Sequence, residues 1–246
     1  MNYLKKLIEK ILPTKYQLKV RLFYQIITNK IDEEIIYIDK ILKNKRRFID
    51  IGANVGIYSY FFYDKFEKIE SFEPLKEITF RLNNLSKDKL NIHNIALSNK
   101  KKNSKLYIPK IKNELIYPLS SINKFKKKKF STRNVAINTL DSFKFDQVDL
   151  IKIDVEGHEV NVIWGAKETI KKNRPIIICE IEQRHIKNNI NEVFKEFKKL
   201  NYKGFFMKKK KLMPIKYFSY EKNQKPYLNN VDNKNYINNF IFFTNT

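Results

Sequence analysis

This chain predicts an α/β fold built on a mostly parallel sheet, and three observations carry that expectation. From residue 46 onward, short apolar runs of strand length alternate with segments of helical periodicity, the pattern of crossover units. The first run ends in a loop with two of the chain's five glycines, within "FIDIGANVGIYSYFF" at 48–62. Two later runs, "VDLIKID" at 148–154 and "RPIIICEIE" at 174–182, are nearly continuous in apolar residues, as strands covered on both faces must be.

The elements follow in order. Residues 1–44 read as a helical extension: Leu4, Leu7, Ile8, Ile11 and Leu12 recur at helical spacing beside Lys5, Lys6 and Lys10. Such a stripe either packs on the domain that follows or lies on a membrane surface, and packing is the commoner use. The spacing then predicts a strand at 46–51, a helix at 55–66, a strand at 68–74, a helix at 75–86 and a strand at 90–98. Two more strands fall at 102–109 and 131–140, with a long polar loop between them. A strand at 148–154, a helix at 158–172, a strand at 174–182 and a helix at 190–200 come next, and strands at 204–209 and 236–243 close the chain. No repeat or flexible linker interrupts residues 45–246, which are expected to form one domain.

Composition narrows the function classes. The chain has 246 residues, 42% of them hydrophobic and 14% aromatic, enough for a full core. Its single cysteine, Cys179, lies in an apolar strand, so it reads as core and suits a reducing compartment. No apolar run is long enough to cross a membrane, and charges break up the opening residues where a signal peptide needs an uninterrupted centre. The net charge of +24 fits either a polyanionic partner or a lysine-rich compositional bias, and the scarcity of Gly and Pro favours the bias.

The glycine loop is the first chemical signal. A strand, a glycine turn and a helix place backbone N–H groups at the carboxyl edge of a sheet, where ligands bind. Dinucleotide sites use G-x-G-x-x-G, whereas this loop runs Asp50-Ile51-Gly52-Ala53-Asn54-Val55-Gly56 and lacks the middle glycine. An acid two residues before the first glycine suits an ammonium better than a diphosphate. Glu73 follows Gly52 by 21 residues, an offset at which an acid accepts hydrogen bonds from ribose hydroxyls. A nucleoside joined to an amino acid meets both demands, which makes S-adenosylmethionine the expected cofactor.

At this point the chain resembles the FkbM-type S-adenosylmethionine-dependent methyltransferases. The stretches "FIDIGANVGIYS" (48–59), "SFEPLKEITFRLNNL" (71–85), "NIALSN" (94–99), "TLDSF" (139–143), "LIKIDVEGHEVNVIWGA" (150–166) and "ICEIE" (178–182) match in order. The resemblance is firm over about 46–183 and weaker to the end. It implies a Rossmann-like class I methyltransferase sheet, seven-stranded and mostly parallel, with helices on both faces. It further implies methyl transfer to a hydroxyl oxygen, often of a sugar or related small molecule. Carried over to this chain, Asp50, Gly52, Asn54, Gly56 and Glu73 would line the cofactor site, with Asn94 and Ala96 near the adenine.

The stretch "LIKIDVEGHE" (150–159) is the second chemical signal. It gathers acids at the end of a buried strand, beside the glycine loop. An alcohol is a poor nucleophile, so a positioned base helps by roughly 10²–10⁴-fold. Asp154 and Glu156 are the first candidates, and His158 is ranked below them although its intrinsic pKa suits the task. Glu159 and Glu180 are expected on the substrate side. The plainer reading gives Glu156 and Glu159 a helix-capping role and Asp154 a structural hydrogen bond. A divalent metal on Asp154, Glu156, Glu159 and His158 is weighed and not expected, because neighbouring positions on one turn rarely converge.

The leading expectation is thus an O-methyltransferase acting on a carbohydrate, glycan or related small molecule. Two rivals stand beside it. A nucleic-acid methyltransferase would use lysines 126–129 and 208–211, and a ribose-directed one could use Lys152, Asp154 and Glu180. The other rival is a non-catalytic adaptor at a membrane surface. Nucleic acid is the less favoured partner. The location is expected to be cytoplasmic, with peripheral attachment to the inner membrane face through the N-terminal helix as an option.

Overall fold

The computed structural model describes residues 12–111, 114–124, 129–187 and 189–244. The stripe at Leu4, Leu7, Ile8 and Ile11 therefore lies outside the described residues. The central strand β1 (Arg47–Ile51) sends Phe48 into one apolar cluster and Ile49 and Ile51 into another, as period-two alternation requires. Parallel neighbours β2 (Lys68–Phe72) and β8 (Val148–Ile153) flank it. Outside them, β3 (Leu90–His93) pairs with β2 and β9 (Ile176–Glu180) with β8, again parallel. The antiparallel β12 (Asn239–Thr244) follows β9, then β10 (Tyr202–Lys208) and β11 (Lys211–Pro214). The order is β11-β10-β12-β9-β8-β1-β2-β3.

That makes eight strands where seven were expected. The extra strand is β11, which hairpins on β10 through Lys209 and Lys210, both in the left-handed region at φ 50° and 61°. Two such residues make the tight turn that matches strand twist. No glycine or asparagine marks it, so the run of four lysines concealed it.

Helices cover both faces. On one side lie α1 (Thr14–Ile27), α2 (Glu33–Ile41) and α3 (Ile57–Phe62), whose Leu18, Ile35, Ile38 and Phe62 share a core with Phe48 and Leu150. Helices α1 and α2 are thereby joined to the sheet through a common core. On the other side α5 (Glu159–Trp164), α6 (Lys167–Asn173) and α7 (Asn191–Lys199) bury Val162, Ile170 and Phe197 against Ile151 and Ile177.

Three expected elements are divided. The helix at 75–86 is a single turn, α4 (Lys76–Thr79), followed by a 3-10 turn at Leu82–Asn84. Leu75 and Ile78 belong to a small separate core while Leu82 belongs to the main one, so the chain must bend between them. The strand at 90–98 leaves the main sheet after His93, and β4 (Ala96–Leu97) joins a second, four-stranded sheet. Its other members are β5 (Lys102–Ile111), β6 (Glu114–Leu115) and β7 (Phe130–Asn138), in the order β4-β7-β5-β6. The helix at 158–172 is split at Gly165 into α5 and α6. A short helix, α8 (Tyr220–Asn223), precedes β12.

Candidate active site

β1 has β2 on one side and β8 on the other, so the chain reverses direction of winding here and a crevice opens at the carboxyl ends. Gly52 sits at its floor with φ +78°. A Cβ there would lie 1.8 Å from the Asp154 carbonyl oxygen, so this glycine lets the loop after β1 press against the end of β8. Gly56, at φ +88°, caps α3, and a Cβ would run into the Leu82 side chain. Both glycines answer to the protein's own packing.

A cleft of about 600 Å³, open to solvent, lies above this floor. Gly52, Asn54, Glu73, Ala96, Asp154 and Glu156 are among its lining residues. Glu73 is buried, and its carboxylate accepts hydrogen bonds from the backbone N–H groups of Asn54 and Leu75, each at 3.1 Å. Burial pushes its pKa up to about 7, against the pull of those two bonds. Asn54 is held at φ 52°, and its Oδ1 is buried without a hydrogen-bond partner in the protein.

Three expected cofactor residues, Asp50, Gly56 and Asn94, do not line this cleft. The Asp50 carboxylate is buried and accepts from the Ser59 backbone N–H at 3.1 Å and the Ser59 hydroxyl at 2.6 Å, so it anchors the first turn of α3. Burial raises its pKa to about 6, with Ser59 opposing. Asn94 donates to the Glu73 carbonyl at 3.1 Å and the Thr79 hydroxyl at 3.3 Å, which ties the chain after β3 to the end of β2. Its neighbours Ile95, Ala96 and Leu97 reach the cleft.

A second, narrow cavity, open to solvent, adjoins the first. Asp154, Glu156, Gly157, Glu159, Glu180, Glu182 and His185 line it, and Asp154 and Glu156 line both spaces. Lys152 lies under these acids, 2% exposed, with its Nζ 3.7 Å from the Asp154 carboxylate and 3.8 Å from that of Glu180. Burial works against the ammonium, but the two carboxylates outweigh it and raise the pKa. Glu180 also accepts from the Asn238 amide at 2.8 Å, and burial pushes its pKa well up, with Asp154 adding to the effect. Glu156 takes a left-handed backbone at φ 52°, uncommon for a residue with a side chain. Burial drives its pKa up, reinforced by Asp154 and Glu182, and its carboxylate lies 3.1 Å from His185 Nε2.

The remaining candidates divide. Glu159 accepts from the Gly157 N–H at 2.8 Å, which braces the turn before α5, and burial raises its pKa to about 7. It still borders the smaller cavity. His158 lines neither space. Its ring is buried, with Nε2 2.9 Å from the Ser98 hydroxyl, and burial lowers its pKa to about 4. This geometry turns the His158 ring away from both spaces. Turned toward Ser98, it links α5 to the second sheet.

Glu182 and His185 were missed by sequence reasoning. Their only signal was the polar run that ends the apolar strand, in "CEIEQRH". With Glu156 they bring ligand atoms within 4.8 Å of one another, a spacing a divalent ion could use. Arg184 and Tyr236 already donate to the Glu182 carboxylate and compete with such an ion. The stretch expected to be a loop walls the larger cleft: Tyr117, Pro118, Ser120, Ser121 and Ile122 line it. Ser121 donates to the Glu156 carbonyl at 2.8 Å and Asn123 to the Gly157 carbonyl at 2.7 Å, fixing the strained turn from outside.

The residues fit S-adenosylmethionine. The orphaned Asn54 Oδ1 calls for a donor, the Glu73 carboxylate keeps lone pairs for hydroxyls, and apolar Ile95, Ala96 and Leu97 offer a surface for a base. Comparison with known proteins agrees. The methyltransferase FkbM domain model matches residues 50–203. The structure of methyltransferase FkbM from Methylobacillus flagellatus is similar over 81% of this chain, with a TM-score of 0.51 and 13% identity. This chain spans only 44% of that protein. A precorrin-6y C5,15-methyltransferase from Geobacter metallireducens aligns over 87% of this chain and 86% of its own, at 10% identity and a TM-score of 0.46. A SAM-dependent O-methyltransferase from Thermotoga maritima aligns over 92% and 72%, at 12% identity and a TM-score of 0.43. No curated protein matches in sequence. With a Rossmann-like sheet, a cleft that suits the cofactor and a domain match over more than half its length, the chain belongs to the FkbM family of S-adenosylmethionine-dependent methyltransferases.

Proposed function

We propose that this methyltransferase acts on a hydroxyl oxygen of a carbohydrate, glycan or related polyol. The observation that carries the reading is the position of Asp154: its residue borders both the cofactor cleft and the acid-lined cavity beside it. Bound S-adenosylmethionine supplies an activated methyl group on a sulfonium. Asn54 and Glu73 hold the cofactor in the cleft, and Gly52 keeps that cleft in register with Asp154. In the smaller cavity Glu156 and Glu180 accept hydrogen bonds from acceptor hydroxyls. The Asp154 carboxylate takes the proton from the reacting hydroxyl, and Lys152 holds that carboxylate in place from below.

Charge supports this reading over ribose methylation of RNA. The smaller cavity is lined by five carboxyl groups, those of Asp154, Glu156, Glu159, Glu180 and Glu182, and no lysine or arginine. The lining thus offers no cation to bind a phosphodiester, whereas sugar hydroxyls are donors that carboxyl oxygens accept. The test is methyl transfer from labelled cofactor to sugars, sugar nucleotides and RNA, with the product bond identified. The reading expects a base-stable ether on a sugar-type acceptor. A methylated RNA ribose or a base-labile ester would overturn it.

A further inference from the structure

Helix α1 carries an apolar stripe on the side turned away from the protein. Gln17 and Leu18 are buried against the body, and Gln17 accepts a hydrogen bond from Arg81 at 2.8 Å. The opposite face presents Tyr16 (46% exposed), Phe23 (62%), Tyr24 (39%) and Ile27 (60%). The spacing i, i+7, i+8, i+11 puts these four on one side of a 14-residue helix. Exposed apolar residues scattered singly need no explanation, but four on one helical stripe do. Lys15 and Lys19 are exposed along one flank, and the Lys15 ammonium lies 4.9 Å from the centre of the Tyr16 ring. Long cationic side chains beside aromatic rings are the arrangement that suits a water–lipid boundary.

We infer that the outward face of α1 is a docking surface for an anionic lipid bilayer, on which the protein lies without crossing it. Charge complementarity selects this occupant. The chain carries +24, the stripe is flanked by lysines, and α1 itself holds no acidic residue. A second copy of the chain would bring the same charge against itself. No helix among the described residues is long and apolar enough to span a membrane, so the contact is interfacial. The basic, apolar-patterned residues 1–11 precede this helix directly in sequence and add Lys5, Lys6 and Lys10 to the same end of the chain.

A protein of this charge adsorbs to anionic surfaces by charge alone, so the decisive variant leaves the charge unchanged. Co-sedimentation of the full chain with phosphatidylcholine vesicles, and with mixed phosphatidylcholine–phosphatidylglycerol vesicles, is compared for wild type and Phe23→Ser/Ile27→Ser. Wild type should bind the mixed vesicles and not the neutral ones. The double variant should bind at least about tenfold more weakly, the scale of losing two large apolar anchors. Its unfolding temperature and S-adenosylmethionine affinity should match wild type, since both side chains face solvent. Equal binding by the variant means bulk charge is responsible and overturns the inference, as does no binding by wild type. A wild-type dimer in sedimentation equilibrium that the double variant dissolves would assign the face to self-association and likewise overturn it.

Discussion

The carboxyl ends of β1 and β2 and those of β8 and β9 lie along the same edge of one sheet, yet they treat their acids differently. On the β1–β2 side each acid is enclosed by donors: Asp50 by Ser59, and Glu73 by the N–H groups of Asn54 and Leu75. On the β8–β9 side five carboxyl groups crowd one small cavity, with Lys152 beneath and Arg184 beside them as the nearby cations. The first arrangement builds a shaped, satisfied cradle. The second crowds acids together, and burial and mutual repulsion push Glu156, Glu159 and Glu180 toward their protonated forms. On the proposed reading the difference divides binding from chemistry: the cradle would hold the cofactor, and the crowded side would handle protons and donors from the acceptor.

The largest effect should come from removing the crowded side's central cation. Lys152→Met leaves Asp154 and Glu180 facing each other without the ammonium between them, and losing one partner of a buried ion pair costs about 3–5 kcal/mol. Urea unfolding should show that loss at neutral pH and a smaller one in acid, where the carboxyls take up protons. Unchanged stability would mean that the acids do not depend on Lys152. Next comes Gly52→Ala, whose methyl would meet the Asp154 carbonyl while φ stays left-handed. A cost of about 2–4 kcal/mol follows from the strained backbone and the overpacking together. A Gly52→Ala protein as stable as wild type would show that the two sides are not locked in register there.

The same comparison explains what was legible in the sequence. The β1 loop was readable because Gly52, Gly56 and Glu73 keep fixed offsets, and the parallel strands were readable because burial on both faces leaves continuous apolar runs. The roles of Asp50 and Asn94 were not, since a carboxylate facing a ligand and one facing Ser59 look identical in one dimension. Glu182 and His185 were invisible for a related reason: only the turn after β9 brings them to Glu156. The β10–β11 hairpin was hidden because lysines occupy the left-handed positions where glycine or asparagine would have signalled a turn.

Titration sharpens the contrast. The Glu73 pKa stands at about 7 in the fold against an ordinary 4.5, so its protonated form belongs to the folded state. Its contribution to stability is therefore full below about 4.5 and lost as the pH rises through about 7. His158 has the opposite sign: at about 4 against 6.5, its contribution is full above 6.5 and lost as the pH falls through about 4. In the unliganded protein, Glu73→Gln should lessen any fall in unfolding temperature as the pH rises from about 5 to 7, while His158→Asn should lessen the fall on acidification. A Glu73→Gln profile parallel to wild type would remove Glu73 as the titrating group. The smallest effect is on rate: His158→Ala should slow turnover by no more than about tenfold, because its ring borders neither cavity. A dead His158→Ala enzyme that still binds cofactor would return the histidine to the chemistry.

The division of labour is tested most directly by one paired measurement: cofactor affinity by calorimetry and single-turnover rate at saturating cofactor, on Asp154→Asn and Glu73→Gln side by side. Asp154→Asn should keep its affinity within a few-fold and lose roughly 10²-fold or more in rate, the scale of a missing general base. Glu73→Gln should bind S-adenosylmethionine about tenfold more weakly, the scale of a weakened charge-assisted hydrogen bond, and turn over near normally once saturated. Asp154→Asn with normal turnover, or with an affinity loss as large as that of Glu73→Gln, would contradict the separation of cradle from chemistry.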